Sequence, residues 1–455
     1  MKEIKTPGYG KIWHISFPII LSLIAQNAVN VTDTAFLGRV GEVELGASAI
    51  AGLFYISLFM LGFGFSIGGQ ILIARRNGEK NFGEIGRITD NSLYFLMGLG
   101  LILFMFISFF APQILRPLIS SNDIYHASIE FLKYRIYGIF FAFGNVLLRA
   151  FYIGTTSTRV LTYNAIILAG TNIFLDYCLI FGNFGFPEMG IRGAALASAI
   201  SETVSAFFFF TYTLKVVDLK KYNLFHFGSF DWKIIKTTFN ISIFVMLQTF
   251  LSLAGWFIFF MIIEKMGERS LAVSNIIRSI YIVLLIPVFA FGSATSSLVG
   301  NLIGEGRSEN VIPVIFKVSK LNFMIIAAIV GIAVFIPRSI ISIYTNDPSL
   351  INDTLPVLYV IMTAVSLFSF SNILFNGVSG TARTEVALII EVVTIGIYLI
   401  VTYLLTTVFH LPIYLVWTTE IIYFLLIGLL SYLYLKSGHW KLNKSLIAGI
   451  SSNNN

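Results

Sequence analysis

The sequence predicts an all-α integral membrane protein, with twelve spanning helices in two six-helix lobes related by a parallel internal repeat. Three observations lead there. Of 455 residues, 56% are hydrophobic and 12% charged, with a mean hydropathy of +0.85, whereas soluble domains carry about 25% charged residues. So little charge leaves too little polar surface to cover a water-soluble globule, which excludes a soluble enzyme. Apolar runs of about 20 residues, the length that crosses a bilayer as helix, recur from end to end, and the ten-residue alternation of a spanning barrel is absent. Finally, the chain superposes on itself at a shift of about 226 residues.

The runs between charged or Pro/Gly/Asn loops place spans at 12–37, 46–74, 91–111, 127–151, 161–182 and 192–214 in the first half. Lys2, Lys5 and Lys11 precede span 1 and no small-residue cleavage site follows, so the first helix is expected to remain in the protein. Pro18 inside that span is a candidate hinge, because a proline removes one helical hydrogen bond. Gly64 and Gly68 in span 2 have the spacing of close helix packing. Cys178, the single cysteine, falls in span 5 and excludes an internal disulfide. The basic stretch 215–238 reads as a linker between lobes 1–214 and 239–445. Spans 7 to 12 follow at 239–263, 272–299, 318–336, 355–377, 385–408 and 412–435, and the Asn-rich tail, 446–455, is expected to be disordered.

The repeat superposes Gly41-Glu42 on Gly267-Glu268, Gly78-Glu79 on Gly304-Glu305 and Gly154-Thr155 on Gly380-Thr381. Six spans per half give both halves the same orientation, the parallel-repeat arrangement of some transporters, with a binding site between halves. Loops on the side of the termini hold about twenty Lys and Arg residues, against about six on the other side (Arg39, Arg116, Arg192, Lys265, Arg269, Arg338). Both termini are therefore expected in the cytoplasm, the chain sitting in the plasma (inner) membrane. The net charge of +7 is spent on this asymmetry, so no nucleic-acid partner is expected.

No phosphate loop, HExxH or G-x-S-x-G motif occurs, and His14, His126, His226, His410 and His439 lack ligand spacing. An enzyme is not expected, no cofactor is implied, and uphill movement of solute needs an ion gradient. Ionisable groups inside spans cost roughly 2.5–3.5 kcal/mol each, so an intramembrane acid is a functional candidate. Such acids are Asp33, Asp176, Glu202, Glu391 and Glu420. Gln26, Asn30 and Asp33 share one helical face of span 1, and Asn172 and Asp176 share one face of span 5. Two carboxylates close together in a poorly hydrated pocket cannot both ionise cheaply, so such a pair takes up a proton or, with Asn172, holds a sodium ion. The shift maps Asp33 onto Phe259, and Gln26 and Asn30 onto Ser252 and Trp256, beside Gln248 at the position of Ser22. Only the first half keeps the acid, facing a more aromatic second half. Gln26, Asn30, Tyr134, Tyr137, Gln248 and Trp256 are the candidate substrate-binding residues.

Four segments carry a family resemblance: Val31-Thr-Asp-Thr-Ala-Phe-Leu-Gly-Arg39, Gly154-Thr-Thr-Ser-Thr-Arg159, the run from Asn172 to Gly182, and Gly190-Ile-Arg-Gly-Ala-Ala-Leu-Ala-Ser198. Together they resemble the multidrug and toxic compound extrusion (MATE) family, and Asp176 resembles its DinF-like branch. The resemblance implies a V-shaped pair of lobes that exports amphipathic or cationic compounds in exchange for protons or sodium. It also implies a cation site at Asp33, Asn172 and Asp176, joined by a span 6 hydroxyl for which Ser198 is the nearest match and Ser201 a rival, and a bending role for Pro18. The acidic second-lobe residues of some members have no counterpart in span 7, where Trp256 and Phe259 stand. The chain is expected to work as a monomer in the bilayer on small-molecule substrates. The competing readings are a lipid or lipid-linked oligosaccharide flippase, favoured by Lys133, Arg135, Arg149 and Arg278 within spans, and a passive channel or structural protein.

Overall fold

A computed structural model describes residues 6–228 and 230–441. The expected tail and the basic residues Lys2, Lys5 and Lys444 lie outside the described residues. Among the described residues twelve helices are long and apolar enough to cross a membrane: α1 (Tyr9–Val40), α2 (Glu42–Gly78), α3 (Phe82–Leu115), α4 (Asn122–Gly154), α5 (Arg159–Phe181), α6 (Ile191–Val216), α7 (Trp232–Glu264), α8 (Glu268–Gly304), α9 (Ser308–Phe335), α10 (Pro348–Gly380), α11 (Thr384–Val408) and α12 (Ile413–Ser437). Nine of them contain the corresponding span read from the apolar runs, α5, α9 and α12 fall one residue short of theirs at one end, and no strand occurs among the described residues. The protein is a multi-pass, all-helical membrane protein.

Helices stop where the sequence offers a terminator. Gly182 and Gly438, at φ 72° and 73°, end α5 and α12 in the left-handed conformation that glycine adopts without strain. Asp347 opens α10 by accepting the Ser349 N–H at 2.9 Å. The repeat is visible in these limits, since α2 and α8 both run for 37 residues between positions that the shift superposes. Gly154 and Gly380, at the ends of α4 and α10, have a shared reason. A Cβ on Gly154 would meet Ile73 Cγ2 at 2.7 Å and the Gln70 carbonyl oxygen at 3.1 Å, and one on Gly380 would meet the Ser296 carbonyl oxygen at 2.6 Å, so each glycine admits a close helix approach that a side chain would crowd.

The chain forms two compact units, residues 17–242 and residues 1–16 with 243–455. The limits fall inside α1 and α7, near the beginning of each, and the repeat superposes 17 on 243. The opening turns of α1 pack with the second unit, where Trp13 lies 6.5 Å from Phe291 and Lys317 lies over the Tyr9 ring. The opening turns of α7 pack with the first, where the Ser242 hydroxyl donates to the Phe65 carbonyl at 3.0 Å. Pro18 sits inside α1, two residues past this limit, and the helix continues through it.

Within the first unit α2 packs on α4 and α5 on α6; within the second, α8 packs on α10 and α10 on α12. Lipid is as apolar as leucine, so these helices associate through close packing and polar contacts rather than the hydrophobic effect. Gly193 shows the closeness required, since a Cβ there would lie 2.5 Å from the Leu179 carbonyl oxygen of α5. In the second unit Phe259, Trp417 and Phe424 are fully buried, with Phe424 stacked 4.1 Å from Phe368.

Candidate functional site

Asn172 and Asp176 lie one turn apart on α5, so their side chains leave the same face, and both are fully buried in the first unit. The carboxyl of Asp33, from α1, is in side-chain hydrogen-bond contact with that of Asp176. Two carboxylates at that range repel unless a proton or another cation stands between them. The Asn172 amide donates to the Ser198 hydroxyl of α6 at 3.5 Å. The Ser201 hydroxyl turns instead to the carbonyl of Ser198 in its own helix, at 2.9 Å. The fold therefore gathers Asp33, Asn172, Asp176 and Ser198 from three helices, with Ser198 rather than Ser201 meeting the amide.

Beside this group stands an ion pair whose two members lie 67 residues apart in the sequence. Arg135 of α4 holds Glu202 of α6 through two parallel N–H donors, one of them at 2.8 Å, the two-pronged geometry that suits guanidinium and carboxylate. Its guanidinium carbon lies 4.2 Å from the centre of the Tyr55 ring, and Asp33 is close enough to feel its charge. Local structure makes room for the pair. The helical turn tightens at Ile136–Gly138, and a Cβ on Gly138 would press on both the Arg135 guanidinium and the Glu202 carboxylate. The Asn145 amide ties down the Glu202 carbonyl at 3.0 Å, while the Ser205 hydroxyl donates to Asn164 at 2.9 Å, extending a polar seam along α4, α5 and α6.

Other expected residues fall elsewhere. Gln26 and Asn30 are exposed on α1. Tyr134 is half-buried, and Tyr137 is exposed, edge-on to Phe104 at 5.4 Å. In the second unit Phe259, the repeat partner of Asp33, is buried against Tyr398 and Trp417. Gln248 is half-buried, and one turn on, the Ser252 hydroxyl donates to Glu391 at 2.6 Å while Tyr423 donates to the same oxygen at 2.7 Å. Glu420 accepts from Tyr281 at 3.0 Å, from Tyr398 at 2.9 Å and from the half-buried Trp256. Both glutamates, nearly fully buried, are thus held by neutral donors. No polar stripe in the sequence surrounds them because their partners lie on other helices; the signal available is tyrosine inside three apolar spans. Among the described residues no three His, Cys, Asp or Glu side chains converge as a metal cage.

Known proteins bear on this arrangement. The MatE family model matches residues 18–178 and 241–404, two segments that end at positions the repeat shift superposes and begin within three residues of doing so. The probable multidrug resistance protein NorM of Thermotoga maritima is 27% identical over 439 residues, covering 94% of this chain and 92% of the relative. A NorM of Listeria monocytogenes is 25% identical over 385 residues, covering 83% of each chain. Among solved structures, a MATE crystallised with MaL6 matches with a TM-score of 0.88 at 20% identity over 95% of this chain and 97% of that one. A MOP superfamily transporter from Pyrococcus furiosus matches with a TM-score of 0.86 at 20% identity, over 95% and 96%. With both halves matched by one family model and all twelve helices reproduced in the fold, the chain belongs to the MatE family of multidrug and toxic compound extrusion transporters, a family of membrane carriers rather than enzymes.

Proposed function

We propose that this protein is a multidrug efflux antiporter that exports amphipathic or cationic organic compounds in exchange for protons or sodium ions. The observation that carries the reading is the contact of Asp33 with Asp176, an acid from each of two helices meeting in the first unit. A proton shared by the pair relieves their repulsion, and so does a sodium ion drawing on the oxygens of Asp33, Asp176, Asn172 and Ser198. The name of the Thermotoga maritima relative supports drugs as the exported class. Loading shifts the transport cycle only if the ion binds one conformation better than another, because equal affinity moves nothing. α1 is the natural element to respond, since it carries Asp33 and is interrupted by Pro18. In this reading the protein sits in the inner membrane with cytoplasmic termini, works as a monomer and falls in the DinF-like branch.

Engagement of Arg135 by Glu202 weighs against the flippase alternative, which calls for free cations deep in the spans. Lys133 and Arg278 are exposed, Arg278 over the Phe260 ring, which leaves Arg149 as a half-buried cation without an ion pair among the described residues. The test is efflux of a cationic fluorescent dye from proteoliposomes under an imposed pH gradient and, separately, a sodium gradient. One gradient should drive efflux, and Asp33→Asn or Asp176→Asn should abolish the coupling with membrane insertion intact. Normal gradient-driven efflux in both variants would defeat the assignment.

A further inference from the structure

The chain between α6 and α7 folds back over the beginning of α3 and is fastened there. Asp90 accepts the backbone N–H groups of Phe225 at 3.0 Å and Phe227 at 3.2 Å, Asn91 accepts that of Asp231 at 2.7 Å, and Arg87 pairs with Asp231 at 2.8 Å. Phe225 and Phe227 adopt φ of 58° and 43°, a conformation costly for side-chain-bearing residues, and the Asp90 bonds hold them in it. Beside the fastening lies a cavity of about 590 Å³, open to the outside and lined by the first turns of α3, the returning segment and the first turns of α7. That is the size of a small-ligand site.

The chemistry of the lining is one-sided once its acids are accounted for. Asp90 is committed to backbone N–H groups, and Asp231 to Arg87 and to the first N–H groups of α7. Lys233 and Lys236, exposed on the opening turns of α7, make no ion pair among the described residues, and the exposed His226 lines the same cavity. Tyr94 and Trp232 also line the cavity, and Trp232 is 66% exposed beside Phe230, 57% exposed. Six spanning helices separate this segment from the N-terminus, so it lies at the end of the bundle where the basic residues gather. Cations next to exposed tryptophan at the end of spanning helices match the lipid headgroup layer, where aromatic rings and basic pockets meet anionic lipid.

We infer that this cavity binds the phosphate headgroup of an anionic phospholipid, with Lys233 and Lys236 on the phosphate and Trp232 along the glycerol and upper acyl chain. The exposed aromatics select lipid over soluble phosphate, which has no apolar part to lay against them. The site is separate from Asp33 and Asp176 and does not depend on what is transported.

Native mass spectrometry of the full chain, purified in detergent and mixed with equal phosphatidylglycerol and phosphatidylcholine, tests the inference. The wild type should retain phosphatidylglycerol preferentially. Lys233→Gln with Lys236→Gln should bind it about thirtyfold more weakly, the factor for two lysines at the attraction usual near an anionic surface. Lys215→Gln with Lys220→Gln, an equal charge change on exposed residues outside the cavity, should bind like wild type. Equal retention of both lipids by wild type, or wild-type binding by the cavity variant, overturns the site. Displacement of the lipid by inorganic phosphate at comparable concentration overturns the lipid assignment in favour of a soluble phosphate ligand. Unchanged unfolding of the variants shows that exposed-lysine substitution left the fold intact.

Discussion

Glu202→Gln offers a direct reading of the ion pair beside the two aspartates. The amide keeps the shape of the carboxylate but removes the charge that faces Arg135, leaving a guanidinium in the seam of α4 and α6 with only the Tyr55 ring and the more distant Asp33 for company. Removing one partner of a buried pair costs about 3–5 kcal/mol. The side chains of Arg135 and Glu202 are 14% and 15% exposed, which places this pair at the lower end, about 3 kcal/mol. For a unit the size of 17–242 that corresponds to a fall in unfolding temperature of about 6–12 °C. Cys178 supplies the assay, because it is the single cysteine and is fully buried in α5 of the same unit. A thiol-reactive dye therefore reports when this unit opens in detergent. The double variant Arg135→Met with Glu202→Leu removes both charges and should melt close to wild type, since apolar replacement of a whole buried pair is often neutral. If Glu202→Gln melts within about 2 °C of wild type, or the double variant melts below the single one, the pair is not the tie described.

Three further outcomes follow from the geometry. Gly380→Ala places a methyl 2.6 Å from the Ser296 carbonyl oxygen and should cost about 1–3 kcal/mol, whereas Gly331→Ala, with open space around it, should be neutral or mildly stabilising; heating followed by detergent gel filtration ranks them. Glu391→Leu strands the hydroxyls of Ser252 and Tyr423 and should lower the melting temperature, at about 1–3 kcal/mol per stranded donor, while Glu391→Gln, which still accepts, should lower it less; equal shifts would remove the acceptor role. The Asp347 carboxyl is held below its ordinary value of 3.8 first by the Ser349 N–H and then by Arg269. A lowered folded value means its support for the start of α10 is present above about pH 3.8 and lost as pH falls through the folded value. The protection of the Ser349, Leu350 and Ile351 amides against hydrogen exchange, relative to their intrinsic rates, should therefore stay high at pH 5 and fall only in stronger acid, and a fall already at pH 5 would refute the cap.

All twelve helices are legible as apolar runs, because in a bilayer every backbone group must be satisfied within its own segment and length alone marks a span. Limits are legible less well: α2 extends to Glu42 and Gly78, past its apolar run, since Glu79 pairs with Arg75 and Arg76 and sustains helix beyond the hydrocarbon. Asp33, Asn172 and Asp176 were legible because each shares a helical face with another polar residue. Glu202, Glu391 and Glu420 were visible as acids but not as sites, since Arg135, Tyr423 and Tyr281 reach them from other helices. Periodicity reads one helix at a time, and a partner across a helix interface leaves no trace in it. The cavity over α3 escaped for the same reason: Asp90 and Asn91 look like ordinary polar residues at a helix start until the backbone of Phe225, Phe227 and Asp231 is found donating to them.

The compact units do not coincide with the repeated units of sequence, because the first turns of α1 and of α7 each belong with the body built from the other half. A chain severed in the segment between α6 and α7 would leave two fragments, neither containing all of one body: the first would lack 232–242 and the second 1–16. Complementation by separately expressed halves would then be a strand-exchange reaction, complete only when both fragments are present together. A single half standing alone could finish its packing only by lending its opening turns to a second copy and borrowing that copy's in return. Duplication and fusion of such a half would turn a reciprocal loan between two chains into a covalent feature of one.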